Sequence, residues 1–533
     1  MTRRRRTLVT SFALLAAAAA PAAVDTWQAR KPPPAPVRRL SRAALDDKVR
    51  GGWAGQMLGV AFGAPTEFRF NGRRIEGDLP AWTPDRVENA IDQDDLYVEM
   101  TFAEVMDRKG LGATSVDYGE AFRQSKYRLW HANAAARRLL ERGLKPPLTG
   151  HPKHNLHADD IDFQIEADFI GLMTPGLPQE ANRYCELVGR IMNHGDGLYG
   201  GMFVTGMYAA AFFESDVRKV VEAGLAGIPA ESGYGRLIRD VLDWSARHPD
   251  DWVKTWSLIQ EKWDRDDPCV DGALAPFNID AKLNGAYIAL GLLYGRGDFS
   301  RTIEISTRAG QDSDCNPSNA AGILGTMIGY ARIPDEWKKG IPPLADRKFA
   351  FTQYSLNDIV ASTVTRALKV VQGAGGTVSE TEIAVPYQAP KPPALEQSDF
   401  GVPIALVAAT APAWTRRGAW EQVSARNDPA EVVGYRASAA GAEAAFSFTG
   451  TGVAIVGTMS QDGGLADVFL DGRPAGDLDA YIVERTHDNA LWHMTGLAPG
   501  PHTVRVLVRG AADPRSKGRA VTLEHSVVFG PAR

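Results

Sequence analysis

The stretch AGQDSDCNPSNAAGILG, residues 309–325, decides how this chain is read. Asp312 and Asp314 stand just before a run of small and apolar residues that reads as a helix. An Asp-x-Asp pair is ordinary on a solvated surface. Here it leads into an apolar element, and charge placed there needs a partner or a metal. A second cluster, Gln93-Asp94-Asp95 in AIDQDDLYVEMTF (residues 90–102), repeats the arrangement before another helical run. Two carboxylate pairs at helix starts, brought together by a fold, would make an oxygen-rich site for hard divalent cations. Such a site favours metal-assisted hydrolysis over simple binding.

The flanking sequence is mostly helical. Ser41 is placed to cap a helix through Leu45, Val49, Trp53 and Met57. Further helices are expected over residues 97–108, 115–142, 179–193, 201–213, 232–248, 281–293 and 318–332. Small-residue runs such as Ala209-Ala210-Ala211 let helices approach closely. No alternation of strand and helix argues for a parallel sheet, so residues 41–372 are expected to form an all-α domain. The composition then changes. Residues 373–404 contain the proline-rich VPYQAPKPP and read as a linker. From 405 to 533, short strands alternate with turn signals such as Asp471-Gly472, which predicts an all-β sandwich.

Residues 1–24 read as a signal peptide: Arg3 to Arg6 precede an apolar run from Leu8 to Ala20 and small residues at a cleavage site. A proline-rich spacer (25–40) follows, so the expected location is periplasmic or secreted, with no membrane anchor after cleavage. The net charge of -5, with both signs interspersed, gives no nucleic-acid footprint. Three cysteines make no disulfide scaffold, although one bridge is compatible with their number.

Three stretches carry a family resemblance. They are GGWAGQMLGVAFGAPTEF (51–68), IDQDDLYVEM (91–100) and GQDSDCNPSNAAGILG (310–325). In this order they resemble the ADP-ribosylglycohydrolase superfamily, an all-helical fold with a two-magnesium centre. The resemblance implies metal ligation by Asp94, Asp95, Asp312 and Asp314, and a ligand or base role for Glu67. Gln93 and Cys315 stand where that family has threonine, and Leu96 replaces a further threonine. A Gln carbonyl still suits magnesium or calcium, whereas a thiol suits softer metals. The expected metal set is therefore Gln93, Asp94, Asp95, Asp312, Asp314 and Cys315, holding one or two divalent ions, Mg2+ first, with Ca2+ or Mn2+ as alternatives. The C-terminal stretches FTGTGVAIVG, GGLADVFLDG and LAPGPHTVRVLVRG resemble galactose-binding-like jelly-roll modules. There Trp414, Trp420, Tyr481 and Trp492 are candidates for stacking on sugar, although core packing is the commoner role of such residues.

Between the acidic clusters lie further polar groups. Glu67, Asp95 and Asp160 are the candidate catalytic residues. Trp130, Asn155, Asp162, His194, Asp196 and Tyr199 are candidates for lining a substrate cleft. A helix cap is as good a reading of Asp160; for His194 a dipole-stabilised helix end is the alternative, and the ligand reading stands ahead of it because Tyr199-Gly200-Gly201 leaves space for a ligand. His151, His154 and His157 offer a weaker zinc reading, because their loop provides no preformed face. The expected function is an exported metal-dependent hydrolase of a glycosidic, possibly furanosidic, bond in an extracytoplasmic carbohydrate. The alternatives are removal of ADP-ribose from an exported target, and an inactive carbohydrate-binding protein.

Overall fold

The computed structural model describes residues 36–264, 269–397, 400–483 and 486–531, without the side chains of 487 and 488. The expected signal peptide and all but the last residues of the spacer lie outside the described residues.

The helical part begins where Ser41 accepts a hydrogen bond from the Ala44 backbone and caps helix Arg42–Gly63. This helix runs against Cys315–Ile328, and glycines set the separation. A Cβ added at Gly51, Gly55 or Gly59 would stand 2.2 Å from the carbonyl oxygen of Gly325, Ala321 or Pro317, and at Gly63 2.0 Å from that of Ser313. The residue numbers rise on one helix and fall on the other, so the pair is antiparallel. Its four-residue spacing is one ridge seated in one groove. The end of the first helix is thereby fixed beside the start of the second.

Helices Asp94–Lys109, Asp196–Ala211 and Ala281–Gly295 pack on this pair, and Pro178–Val188 and Gly233–Arg247 pack outside them. Residues 115–142 were expected to be one helix. They form two, Ser115–Gln124 and His131–Glu141, because the intervening chain turns and His131 takes a φ of 42°. Val217–Ala226, Trp252–Trp263, Phe299–Arg308 and Leu356–Gly373 are helices that the sequence reading did not single out. Among the described residues no helix is long and apolar enough to cross a membrane.

Strand Val37–Ser41 pairs antiparallel with Glu382–Pro386, which also pairs with Thr377–Val378. The stretch read as a linker therefore contains two strands and the start of a third, Val402–Ala408. The C-terminal part is antiparallel. A five-stranded sheet runs Arg473–Asp479, Leu465–Leu470, Gly500–Val508, Glu443–Gly450, Trp414–Arg417. A four-stranded sheet runs Thr486–Met494, Gly452–Met459, His525–Gly530, Val402–Ala408. Asp471 and Gly472, both at positive φ, join the first two strands of the larger sheet as a tight hairpin. Val453, Ile455 and Val528 of one sheet and Ala466, Val468 and Val506 of the other share one core, as in a sandwich. Trp414 and Trp492 belong to that core, and Trp414 stacks on Phe446 at 5.1 Å. Trp420 packs against the core, and Tyr481 lies under the Arg515 guanidinium. The sandwich rests on the helical part through a shared apolar cluster that includes Leu156, Val270, Phe400, Val456 and Phe529.

Candidate active site

The close helix pair determines the site. Gly63 against Ser313 places the turn after the first helix next to Asp312 and Asp314. Thr66 Oγ1 bonds the Gly63 carbonyl and the Ser313 hydroxyl, both at 2.8 Å. The Phe68 amide donates to the Gln311 carbonyl at 3.1 Å. Phe68 and Gln311, which flank Glu67 and Asp312, both take positive φ, a cost that clusters at functional positions.

Oxygen atoms of Glu67, Asp312 and Asp314 lie within 4.8 Å of one another, as do the ligand atoms of Asp95, Asp314 and Cys315. Asp314 is common to both groups, so four carboxylates form one continuous centre. Asp94 adjoins it and acts electrostatically on both Glu67 and Asp95. Asp94 and Asp95 occupy the first turn of their helix, where the N-terminal dipole favours negative charge.

Crowding and burial raise every carboxyl of the centre. Burial, then repulsion from Asp314, pushes Asp94 up to about 6. Burial and Asp314 hold Asp95 and Asp312 well above the usual carboxylate range, and burial raises Asp314. Glu67 is exposed as a residue, but its carboxyl end reaches back to the acids. Desolvation there, with Asp314 and Asp94, pushes it up to about 8. One oxygen each of Asp95, Asp312 and Asp314 is buried with no hydrogen-bond partner. Orphaned, mutually repelling carboxylate oxygens are the donor set that hard cations such as Mg2+, Ca2+ or Mn2+ satisfy.

The sequence profile of the ADP-ribosylglycohydrolase family matches residues 41–368. The chain belongs to this family. Among solved structures, an ADP-ribosylglycohydrolase-related protein complex is 15% identical with a TM-score of 0.40, covering 61% of this chain and 98% of that one. A two-domain esterase active on acetylated mannans, co-crystallized with mannopentaose, is 17% identical with a TM-score of 0.21, covering 33% of this chain and 46% of that one. The carbohydrate-binding module CBM36 in complex with calcium and xylotriose is 13% identical with a TM-score of 0.17, covering 24% of this chain and 100% of that one. No curated protein matches the chain.

Cys315 is one of the positions at which the chain departs from the threonine pattern. Burial pushes its thiol up, and its Sγ donates to Asp95 Oδ2 at 3.4 Å. It also belongs to the group of ligand atoms formed with Asp95 and Asp314. Gln93 is half-buried and its side-chain amide donates to Asn89 at 2.8 Å.

Asp162 adjoins the centre and feels Asp94. Its carboxylate accepts from the backbone of Ala132 and Asn133, at 3.2 and 2.9 Å, and so caps helix His131–Glu141 from outside. The remaining candidates take their partners elsewhere. Asp160 contacts His157, with Oδ2 at 2.8 Å from Nδ1. Asn155 donates to the carbonyls of Ala132, Thr149 and Met192, a brace between loops. Asp196, Asp159 and Asp280 act together on the buried Lys282 ammonium. His194 pairs with Glu396 at 3.2 Å, and the Tyr199 hydroxyl accepts from the Glu396 amide at 2.7 Å. These two residues seat the chain that leads to the sandwich. Trp130 is exposed on a cavity between the helical part and the sandwich.

Two groups escaped the sequence reading. Glu99 and Glu166 are buried carboxylates beside the centre, and Glu99 accepts from the Phe169 amide at 2.7 Å. Glu99 lies one helical turn beyond Asp95, and that spacing was the available signal. Cys269 and Asp271 gave none, because they meet His131 only in the fold.

Proposed function

We propose that this member of the ADP-ribosylglycohydrolase family is an exported hydrolase of a glycosidic bond, with furanosides among the candidate bonds, in an extracytoplasmic carbohydrate. The observation that carries the reading is the convergence of Glu67, Asp95, Asp312 and Asp314 with orphaned oxygens on three of them. The asymmetry of exposure divides the work. Asp95, Asp312 and Asp314 are buried and would hold one or two Mg2+ ions, with Asp94 at their edge. A bound ion would polarise and orient sugar hydroxyls. Glu67 is the exposed residue of the set, and its partly desolvated carboxyl would meet the substrate. It would take a proton from water as the water oxygen bonds to the anomeric carbon, where positive charge develops, while the glycosidic C–O bond breaks and the leaving oxygen takes up a proton from solvent. The buried thiol of Cys315 and the backbone around Phe68 and Gln311 keep these carboxyls in place.

Export rests on the N-terminal sequence and turns the substrate towards sugars outside the cytoplasm. Family membership keeps ADP-ribosyl groups on a target as the second reading. Turnover of aryl furanosides, aryl pyranosides and ADP-ribosyl-arginine, compared in Mg2+, separates the two. Cleavage of a furanoside supports the carbohydrate reading. Cleavage of ADP-ribosyl-arginine alone replaces it.

A further inference from the structure

A second cluster lies apart from the carboxylate centre and is different in chemistry. One ligand atom each of His131, His157, Asp160 and Cys269 lies within 4.8 Å of the other three. Cys269 Sγ is 3.3 Å from His157 Nδ1 and 3.9 Å from His131 Nδ1. Asp160 Oδ2 is 2.8 Å from His157 Nδ1 and 3.7 Å from His131 Nδ1. A neutral imidazole Nδ1 has either one proton or one lone pair to offer. His157 Nδ1 is approached by both a sulfur and a carboxylate oxygen, and a single hydrogen bond does not account for both.

We propose that these four residues form a structural zinc site. Zinc takes sulfur, imidazole and carboxylate ligands together in a tetrahedron, with Zn–N about 2.0–2.1 Å and Zn–S about 2.3 Å. Those bond lengths require ligand atoms roughly 3.3–3.6 Å apart, and the observed separations straddle that range. The mixed set is wrong for magnesium, which takes oxygen. Cys269 binds as thiolate and its proton leaves to solvent, so one thiolate and one carboxylate balance the 2+ charge in a buried place. Four protein ligands leave no open position, which makes the site structural.

The ion would enter from the cavity of about 240 Å³ lined by His131, His157, Asp271 and, from the sandwich, Met459, Asn489 and His493. It would tie together the start of helix His131–Glu141, the 157–160 turn and the segment after helix Trp252–Trp263. The His131 ring lies on Phe277, and Phe277 on Phe68, which neighbours Glu67. The cluster thus supports one wall of the candidate active site.

The test is metal analysis of the full chain purified without chelator. The expected result is about one zinc per chain, as for a closed four-ligand site, retained in Asp312→Asn and lost in Cys269→Ser and His157→Ala. Because those two variants can fail to fold, Co2+ is also exchanged into the wild-type chain. A tetrahedral cobalt spectrum with a thiolate-to-cobalt charge-transfer band is expected. A wild-type chain that neither carries zinc nor takes it up stoichiometrically, and whose cobalt form shows no sulfur band, overturns the proposal.

Discussion

Gly63 and Ser313 approach so closely that a Cβ on Gly63 would stand 2.0 Å from the Ser313 carbonyl oxygen. That contact joins the end of one helix to the start of another, and with them Glu67 to Asp312 and Asp314. Alanine is ordinarily favoured over glycine inside a helix by about 1 kcal/mol. Here the obstacle is backbone, which cannot rotate aside. Gly59→Ala and Gly63→Ala should each destabilise the chain by about 1–3 kcal/mol. Gly373→Ala, at a helix end where an added Cβ meets nothing within 4 Å, should be neutral. Denaturant midpoints of the three variants check this.

Glu67 is assigned the proton transfer, so Glu67→Gln should lower kcat by roughly 10²–10⁴-fold. Its effect on cation affinity should be smaller than that of Asp312→Asn or Asp314→Asn, whose orphaned oxygens lie deeper in the centre. Steady-state kinetics beside calorimetric Mg2+ titration separates the two effects.

Removing divalent ions should give the chain an unusual pH dependence. Asp94 is pushed up to about 6 and Glu67 to about 8, while Asp95 and Asp312 are also raised. Between the ordinary carboxylate range and pH 8 the folded state therefore binds more protons than the unfolded state. Stability falls with rising pH wherever that holds. The cation-free chain should lose thermal stability from pH 5 to pH 8, and saturating Mg2+ should flatten the loss. Melting curves across that window, with and without chelator, measure it.

Asp162 caps a helix it does not belong to. Asp162→Ala leaves the Ala132 and Asn133 amides without their acceptor and should cost about 0.5–2 kcal/mol. Mg2+ affinity should change little, because the carboxylate makes its bonds to backbone. Chemical denaturation with parallel Mg2+ titration decides between a cap and a ligand.

Much of this was legible in sequence, for identifiable reasons. Asp94, Asp95, Asp312 and Asp314 stood out because carboxylates at the mouths of apolar helices carry a desolvation cost that calls for a partner. The sandwich showed through its period-two strands and the Asp471-Gly472 hairpin. What stayed hidden was pairing at long range. Val37–Ser41 becomes a strand only because Glu382–Pro386 lies beside it. Asn155, His194 and Tyr199 suggested a polar cleft, yet their groups bond loop carbonyls and the chain at Glu396. A polar residue braced on backbone and one facing a ligand look alike in sequence. His131 and Cys269 meet through a turn at positive φ, which no local pattern announced.

The central claim is that the Asp95, Asp312 and Asp314 carboxylates, with Asp94 at their edge, bind the ion that hydrolysis requires. Anomalous scattering from crystals soaked in Mn2+ tests it most directly. One or two manganese peaks bonded to Asp95, Asp312 and Asp314, and absent from Asp312→Asn crystals that have lost turnover, are the result expected. An enzyme that turns over with no metal peak among these carboxylates, and is indifferent to Asp312→Asn, would contradict the account.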